Sequence, residues 1–263
     1  MNSTRKWFKF FTVEQWQAID IDYHVDRKAD HKVLLVFAVS ISVILIQNQF
    51  TNPGFLMKFF FLRDFILARA SADFYPPLYW ALSTSLDYFL LPAIVIWFVY
   101  REPLANFGLR LEKDKRILLL YLVLFLAVII PVWFASSAVH FHQIYPVYRS
   151  AGDSLPGYLI WEFTYALQFI MIEFFYRGFM IFALARYFGY HAIFIMAIPY
   201  TMVHFSKPLP EAIGSAFTGL ALGTLALRTR SIFGGVIIHA AVAISMDTFI
   251  LIRQGKLQKL LGS

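Results

Sequence analysis

The chain has 263 residues, of which 59% are hydrophobic and only 15% charged, and its formal net charge is +7. Soluble domains carry about 45–50% apolar and about 25% charged residues, so this composition excludes an ordinary soluble protein and indicates a chain that crosses a membrane several times. The sequence has no cysteine, which excludes disulfides, thiolate catalysis and cysteine-ligated metals. In such a chain lysine and arginine set topology and contact anionic lipid, so we expect membrane lipid and not nucleic acid as a partner.

Residues 1–32 are predicted to form a cytoplasmic or interfacial segment. Aromatic residues between positions 7 and 16 are interleaved with lysines, a pattern that favours a short helix in the headgroup region. An irregular tail is the alternative interpretation. The residues after position 252 form a short basic tail, 253–263.

The region between these ends, 33–252, predicts an all-α fold, a polytopic transmembrane helical bundle. A spanning helix needs ~17–25 mostly apolar residues. The segment 55–70 is apolar but contains four charges, so we expect it to lie in the interface or to re-enter the membrane instead of crossing it. The predicted spans are then seven, at 33–50, 78–100, 117–138, 157–184, 191–205, 211–227 and 232–252.

The basic residues predict the orientation. They concentrate in the N-terminal segment, in the loop 101–116 and in the turn 228–230. With seven spans these three regions share one side of the membrane, which places the N-terminus in the cytoplasm of a multi-pass cell (inner) membrane protein. If 55–70 also crosses, there are eight spans and the side of every later loop is reversed.

Three ionisable side chains stand inside or at the end of predicted spans, namely Glu173, His204 and His239. A group of this kind is costly to bury in a membrane and is therefore a functional candidate. Arg177 follows Glu173 by four positions, so the two share a helix face and are expected to pair. The pair either neutralises itself only, or Arg177 keeps Glu173 charged and directed into a polar cavity.

Two further acids are secondary candidates. Glu162 precedes Glu173 by three helical turns, about 16 Å, too far to share a reaction centre, so we expect it to line a cavity mouth or lie near the interface. Asp247 follows His239 by eight residues, about 80° round the helix, and is not expected to be its direct partner. Zn²⁺ accepts Glu and His ligands, so a zinc site of Glu173, His204 and His239 is a further hypothesis, although no fixed spacing such as His-Glu-x-x-His supports it.

The motifs follow one another in a recognisable order: Glu173-x-x-x-Arg177-Gly178, then Tyr200-x-x-x-His204, then His239 within the last span. Together with Phe-Gly-Leu-Arg at 107–110 and Ala-Leu-Arg-Thr-Arg-Ser-Ile at 226–232, this order resembles the CPBP family. That family includes the CAAX prenyl protease 2 type endopeptidases and the bacteriocin-processing or immunity proteins. The resemblance covers roughly residues 157–250.

The resemblance implies an all-helical membrane bundle with a water-containing cavity. In it a Glu and a His activate water against a peptide bond, while another His and an Asn or Asp stabilise the oxyanion. Carried onto this sequence, the family's motifs fall on Ile172, Glu173 and Arg177, on Tyr200 and His204, and on His239 and Ala243.

Two positions depart from the family's pattern: Ile172 stands where the first Glu is usual, and Ala243 where Asn or Asp is usual. Loss of a general base or an oxyanion donor typically costs a factor of ~10²–10⁴ each. Adjacent helix positions point about 100° apart, so Glu173 replaces the missing Glu only if the helix is rotated or locally wound differently. Asp247 replaces the missing partner only if the last helix is shifted.

These observations support three hypotheses. The first is an intramembrane endopeptidase acting on a membrane-associated peptide or protein, with Glu173 as base, His204 orienting the water and His239 donating to the oxyanion. The alternative is a catalytically silent relative that serves as a membrane scaffold or peptide-binding partner. A transporter built on buried acids such as Asp87 is the third, and the lack of duplicated halves disfavours it.

Overall fold

The computed structural model of the chain describes residues 12–23, 31–59, 64 and 73–260. Every regular element within those ranges is helical, which confirms the predicted all-α class. The aromatic residues at 7–11 and most of the segment 55–70 lie outside the described residues, so the expectations for them stay predictions.

The described α-helices begin and end close to the predicted spans, and several are interrupted by other windings. Two π-helical segments, Ile96–Tyr100 and Phe174–Met180, and two 3₁₀ turns, Leu104–Phe107 and Arg149–Gly152, accompany them. In chain order the α-helices are α1 (Val13–Asp22), α2 (His31–Gln49), α3 (Pro53–Leu56), α4 (Tyr75–Val95), α5 (Lys115–Ala135), α6 (Val139–His142), α7 (Leu155–Glu173), α8 (Ile181–Phe188), α9 (His191–Met202), α10 (Leu209–Thr229), α11 (Phe233–Arg253) and α12 (Lys256–Leu260).

Five helical stretches in the described part of the chain are long and apolar enough to cross a membrane: 31–49, 75–100, 115–135, 155–188 and 233–253. Two predicted spans are not among them. Helix α9 is apolar but has only 12 residues, and α10 has 21 residues but falls outside the five. The polytopic helical character therefore holds, while the number of seven spans stays a prediction.

The chain divides into two compact units, each made of three separate segments. The first unit comprises residues 1–42, 89–118 and 172–235. At its core the π segment Phe174–Met180 is buried at every position. A Cβ added to Gly178 in that segment would lie 2.7 Å from the backbone oxygen of Phe107, so glycine lets the Leu104–Phe107 turn pack directly on the π segment.

Helices α9 and α10 also pack closely within the first unit, because small residues of α10 face α9. A side chain at Gly219 would begin 3.2 Å from the Tyr200 ring, and one at Gly223 would begin 3.0 Å from the Ile193 side chain. The missing side chains at Gly219 and Gly223 thus allow close contact between the two helices.

The second unit comprises residues 43–88, 119–171 and 236–263. One of its apolar clusters joins Phe141 and Tyr145 to Met246 and Ile250. Near the end of α11, Arg253 donates to the Ser136 hydroxyl and to the Trp133 carbonyl oxygen, each at 2.7 Å. These bonds join the last long helix to the end of α5 and to the turn that follows it.

Candidate functional site

The helix that carries Glu173 and Arg177 changes its winding between them. Helix α7 ends at Glu173, and Phe174–Met180 follows as a π-helix. A π turn accommodates one extra residue, so the side chains beyond it are rotated by about 100° relative to a continuous α-helix. Such segments are frequent at functional sites. The winding of this helix therefore changes directly after Glu173.

Glu173 and Arg177 form the predicted ion pair. The Arg177 Nη1 atom donates to Glu173 Oε1 at 2.9 Å, and both side chains are 0% exposed. The Arg177 guanidinium also lies over the Tyr200 ring, 3.8 Å from its centroid. Because two charges without water are costly, such a pair persists only when its geometry is good and each charge keeps its partner.

The second oxygen of the same carboxylate lies against Gly235 at the start of α11. A Cβ added to Gly235 would be 2.6 Å from Glu173 Oε2, which is closer than non-bonded atoms approach. The sequence indicates only that Gly234 and Gly235 are small residues suited to close packing. The structure assigns Gly235 a particular neighbour, the candidate catalytic carboxylate.

His204 lies in a turn that follows α9, and α9 ends at Met202, three residues before residue 205. In this turn the backbone hydrogen bonds join residues three apart instead of four apart. The His204 N–H donates to Thr201 O at 3.0 Å, and the Phe205 N–H donates to Met202 O at 3.1 Å. The predicted continuation of this helix to residue 205 was wrong. The side chain of His204 is half-buried.

A hydrogen bond fixes the orientation of the His204 ring. Its Nδ1 atom lies 2.8 Å from the Tyr200 carbonyl oxygen, and its ring is 4.9 Å from the Tyr200 ring. A carbonyl oxygen only accepts, so Nδ1 carries the proton in the neutral ring. The remaining nitrogen, Nε2, is then the one able to accept a hydrogen bond from water.

Four sequence-predicted residues are thus joined by continuous contacts within the first unit. Glu173 pairs with Arg177, Arg177 stacks on Tyr200, and Tyr200 contacts His204. Tyr176, which sequence reasoning did not select, packs edge-on against Tyr200 at 5.2 Å. We refer to Glu173, Arg177, Tyr200 and His204 as the Glu173–His204 cluster.

His239 belongs to the second unit. It is half-buried, and its ring packs against that of Phe169, with centroids 4.4 Å apart and the ring planes tilted by 41°. Phe169 was not a candidate from the sequence, because an aromatic residue in an apolar span carries no distinguishing signal.

The secondary acids also lie in the second unit. Asp247 is fully buried and accepts a hydrogen bond from Trp161 Nε1 at 3.1 Å. Glu162 is 6% exposed and lies close enough to Asp247 for the two carboxylates to repel each other. The structure thus places Glu162 in the interior beside Asp247.

A zinc site formed by Glu173, His204 and His239 receives no support from the geometry. Among the residues that the structure describes, no group of three or more His, Asp or Glu side chains is arranged to hold a metal ion. Glu173 contacts Arg177 and Gly235, and His204 contacts the backbone and the ring of Tyr200.

Comparison with known proteins matches the same part of the chain. A family model described as Rce1-like, type II CAAX prenyl endopeptidase, matches residues 153–245. No curated protein and no solved structure matches the chain. The matched range contains the whole Glu173–His204 cluster together with Glu162, Gly235 and His239. The match agrees with the family that the motif order predicts: residues 153–245 are similar to the Rce1-like type II CAAX prenyl endopeptidases.

Proposed function

We propose that this protein is an intramembrane endopeptidase that hydrolyses a peptide bond in a membrane-associated peptide or protein. The observation that carries the proposal is the Glu173–His204 cluster, a buried carboxylate linked through Arg177 and Tyr200 to an imidazole. This cluster lies within the range that matches a peptidase family. The residues and the family point to the same reaction class, acyl transfer to water.

In the proposed reaction Glu173 is the general base. Arg177 holds Oε1, so Oε2 takes a proton from water while His204 Nε2 accepts the second hydrogen bond of that water. The new bond forms between the water oxygen and the scissile carbonyl carbon. The carbon–nitrogen bond then breaks, and the proton passes from Glu173 to the leaving amine. General-base assistance of this kind contributes a factor of ~10²–10⁴.

His239 is proposed as the donor to the oxyanion. Its ring packs against Phe169, and the resemblance of the motif order to the CPBP family implies the role of the oxyanion histidine for it. One such donor typically contributes a factor of ~10²–10³. Because Ala243 offers no hydrogen-bond donor beside it, the loss of His239 alone should remove this stabilisation.

The chemistry is tested with full-length protein in nanodiscs and a membrane-anchored peptide, prenylated at its C-terminal cysteine or left unmodified, in H₂¹⁸O. Hydrolysis predicts two fragments, one of which gains a single ¹⁸O in its new carboxylate. His239→Ala should slow release at least about 10²-fold, while His140→Ala, at an exposed site in α6, should cleave at the wild-type rate. No cleavage of either peptide, or an equal rate in both variants, would contradict the proposal.

A second function, a catalytically silent scaffold, is favoured by one specific observation. Glu173 and Arg177 are both 0% exposed, so in this conformation the carboxylate is buried and engaged in the ion pair. Ile172 and Ala243, where the family has polar residues, point the same way. Complementation of a deletion strain decides between the two functions. Rescue by the Glu173→Ala, His204→Ala double variant would support the scaffold function, and failure of this variant to rescue the strain would support the peptidase function.

A further inference from the structure

A cavity of about 270 Å³ opens in the first unit, away from the Glu173–His204 cluster, none of whose members lines it. Its walls come from the end of α1, the loop before α5, α8 and the turn after α10. Polar and charged side chains predominate among them, including Asp22, Tyr23, Glu102, Arg110, Arg186 and Arg230.

The two loops that carry Arg110 and Arg230 are fastened to each other. The backbone N–H of Ile232 donates to the Gly108 carbonyl oxygen at 2.9 Å. Gly108 has a φ of +89°, and a Cβ there would lie 2.6 Å from the Ile232 side chain, so only glycine fits this approach. The cavity is therefore built by a backbone contact within the first unit.

The acids of the cavity already have cationic partners. Glu102 accepts two hydrogen bonds from Arg186, at 2.5 and 2.9 Å, and Asp22 pairs with Arg228 at 3.0 Å. Arg110 instead donates to a neutral partner, the Asn106 side-chain oxygen, at 2.6 Å. Within the described ranges neither Arg110 nor Arg230 forms an ion pair with an acid, so the cavity has an excess of positive charge.

Tyr23 adds a hydrogen-bond donor to the same wall. Its hydroxyl is buried and has no hydrogen-bond partner among the residues that the structure describes. Burial raises the pKa of Tyr23 to about 12, so the hydroxyl keeps its proton at neutral pH. A buried hydroxyl without a partner is costly, and a bound acceptor would satisfy it.

Arg230 occupies a position that suits glycine. Its φ is +54°, in the left-handed region, at the end of α10. Glycine adopts this conformation freely, whereas an L-residue adopts it at a cost. The side chain that lines the cavity is therefore carried by a backbone conformation that disfavours an L-residue.

We propose that this cavity binds a phosphate group, with Arg110 and Arg230 contacting its oxygens and Tyr23 donating a hydrogen bond. Guanidinium groups match phosphate oxygens with two parallel hydrogen bonds. The volume is just below the ~300–1,000 Å³ of common ligand pockets, which suits a phosphate headgroup and not an acyl chain. The phosphate comes from an anionic phospholipid or from free phosphate in solution.

The test uses the full-length protein and compares two arginines whose backbone lies in the left-handed region, Arg230 and Arg101. Arg230→Gly removes the cavity side chain and relieves the backbone, and Arg101→Gly does the same at an exposed residue with φ +56° that does not line the cavity. Arg110→Gln is a second cavity variant that leaves the backbone unchanged. Each protein is placed in nanodiscs of phosphatidylcholine alone or with added phosphatidylglycerol, and separately titrated with inorganic phosphate.

We expect phosphatidylglycerol to raise the thermal midpoint of the wild type and of Arg101→Gly, with binding to Arg230→Gly and Arg110→Gln about tenfold weaker. If inorganic phosphate alone reproduces this difference, the site takes free phosphate, and if only the lipid does, the site takes a headgroup. Equal responses in all four proteins, or no response in the wild type, would overturn the proposal. These outcomes do not depend on peptidase activity.

Discussion

The Glu173 side chain is fully buried, and its two carboxylate oxygens have different neighbours. Arg177 takes one oxygen, and Gly235 leaves just enough space for the other. The first contact could be predicted, because residues four apart on a helix are neighbours. The contact between Glu173 and Gly235 could not be predicted, because the two residues lie on different helices. The spacing of residues along one helix does not indicate which side chain of another helix packs against a glycine.

We predict that Gly235→Ala displaces the Glu173 carboxylate and lowers peptidase activity, because the new methyl group would lie 2.6 Å from Oε2. The matched control is Gly214→Ala in α10, where an added methyl group meets nothing within 4 Å. That change should leave activity intact and stabilise the helix by up to ~1 kcal/mol. Cleavage rates and unfolding midpoints of the two proteins measure the difference, and equal activity would refute the assigned contact.

The ion pair makes a prediction about stability. Arg177→Met leaves a buried carboxylate without its cation, which should lower the free energy of unfolding by about 3–5 kcal/mol. Replacing both members, Glu173→Leu with Arg177→Met, removes the uncompensated charge and should recover most of that loss. Unfolding in mixed detergent gives both values. If the double variant were no more stable than the single one, the pair would not be the source of the loss.

At the scale of helices and turns, the π segment Phe174–Met180 is the feature that positions the cluster. It lies where the family motif runs, and it is buried throughout. The sequence predicts a long span here but not its winding, because α and π helices share the same apolar composition. Gly178 is explained in the same way, since its missing Cβ admits the Phe107 backbone from a turn far away in the chain.

A second inter-element contact, between Glu102 and Arg186, predicts a pH dependence. Hydrogen bonding from Arg186 lowers the pKa of Glu102 below its ordinary value of 4.5. When the pKa of a carboxyl is lower in the folded state than in the unfolded state, the ionised carboxylate stabilises the fold at every pH above the ordinary pKa. That stabilisation is lost as the pH falls through the lowered pKa. Glu102→Gln should therefore flatten the acid side of the stability curve.

The matched control for this prediction is Glu14→Gln, at an exposed residue of α1. Its unfolding midpoint should follow the wild-type curve from neutral pH down to about pH 3. The idea fails if Glu102→Gln loses stability on acidification as steeply as the wild type does.

At the scale of the whole molecule, composition predicted the fold class well, because a chain that is 59% hydrophobic with long apolar runs can satisfy its backbone in lipid only as helices. The number of crossings was harder to predict. Helix α9 has 12 residues and ends before His204, since its last turn tightens. Length and hydropathy alone do not report such local changes.

Orientation can be measured directly, because the chain has no cysteine and an introduced one is the only thiol. The basic loop 101–116 predicts that Lys113→Cys faces the cytoplasm and Asp153→Cys the opposite side. In intact cells a membrane-impermeant maleimide should label the second and not the first. The reverse pattern would indicate that segment 55–70 crosses the membrane and that the parity is shifted.

We propose that the Glu173–His204 cluster activates water. The most direct test is to measure the rates at which the Glu173→Gln and His204→Ala variants cleave a peptide in nanodiscs. Each change should slow hydrolysis of a cleaved peptide by ~10²–10⁴-fold with helical content unchanged by circular dichroism, while His140→Ala cleaves at the wild-type rate. Cleavage by folded Glu173→Gln at the wild-type rate would contradict the claim.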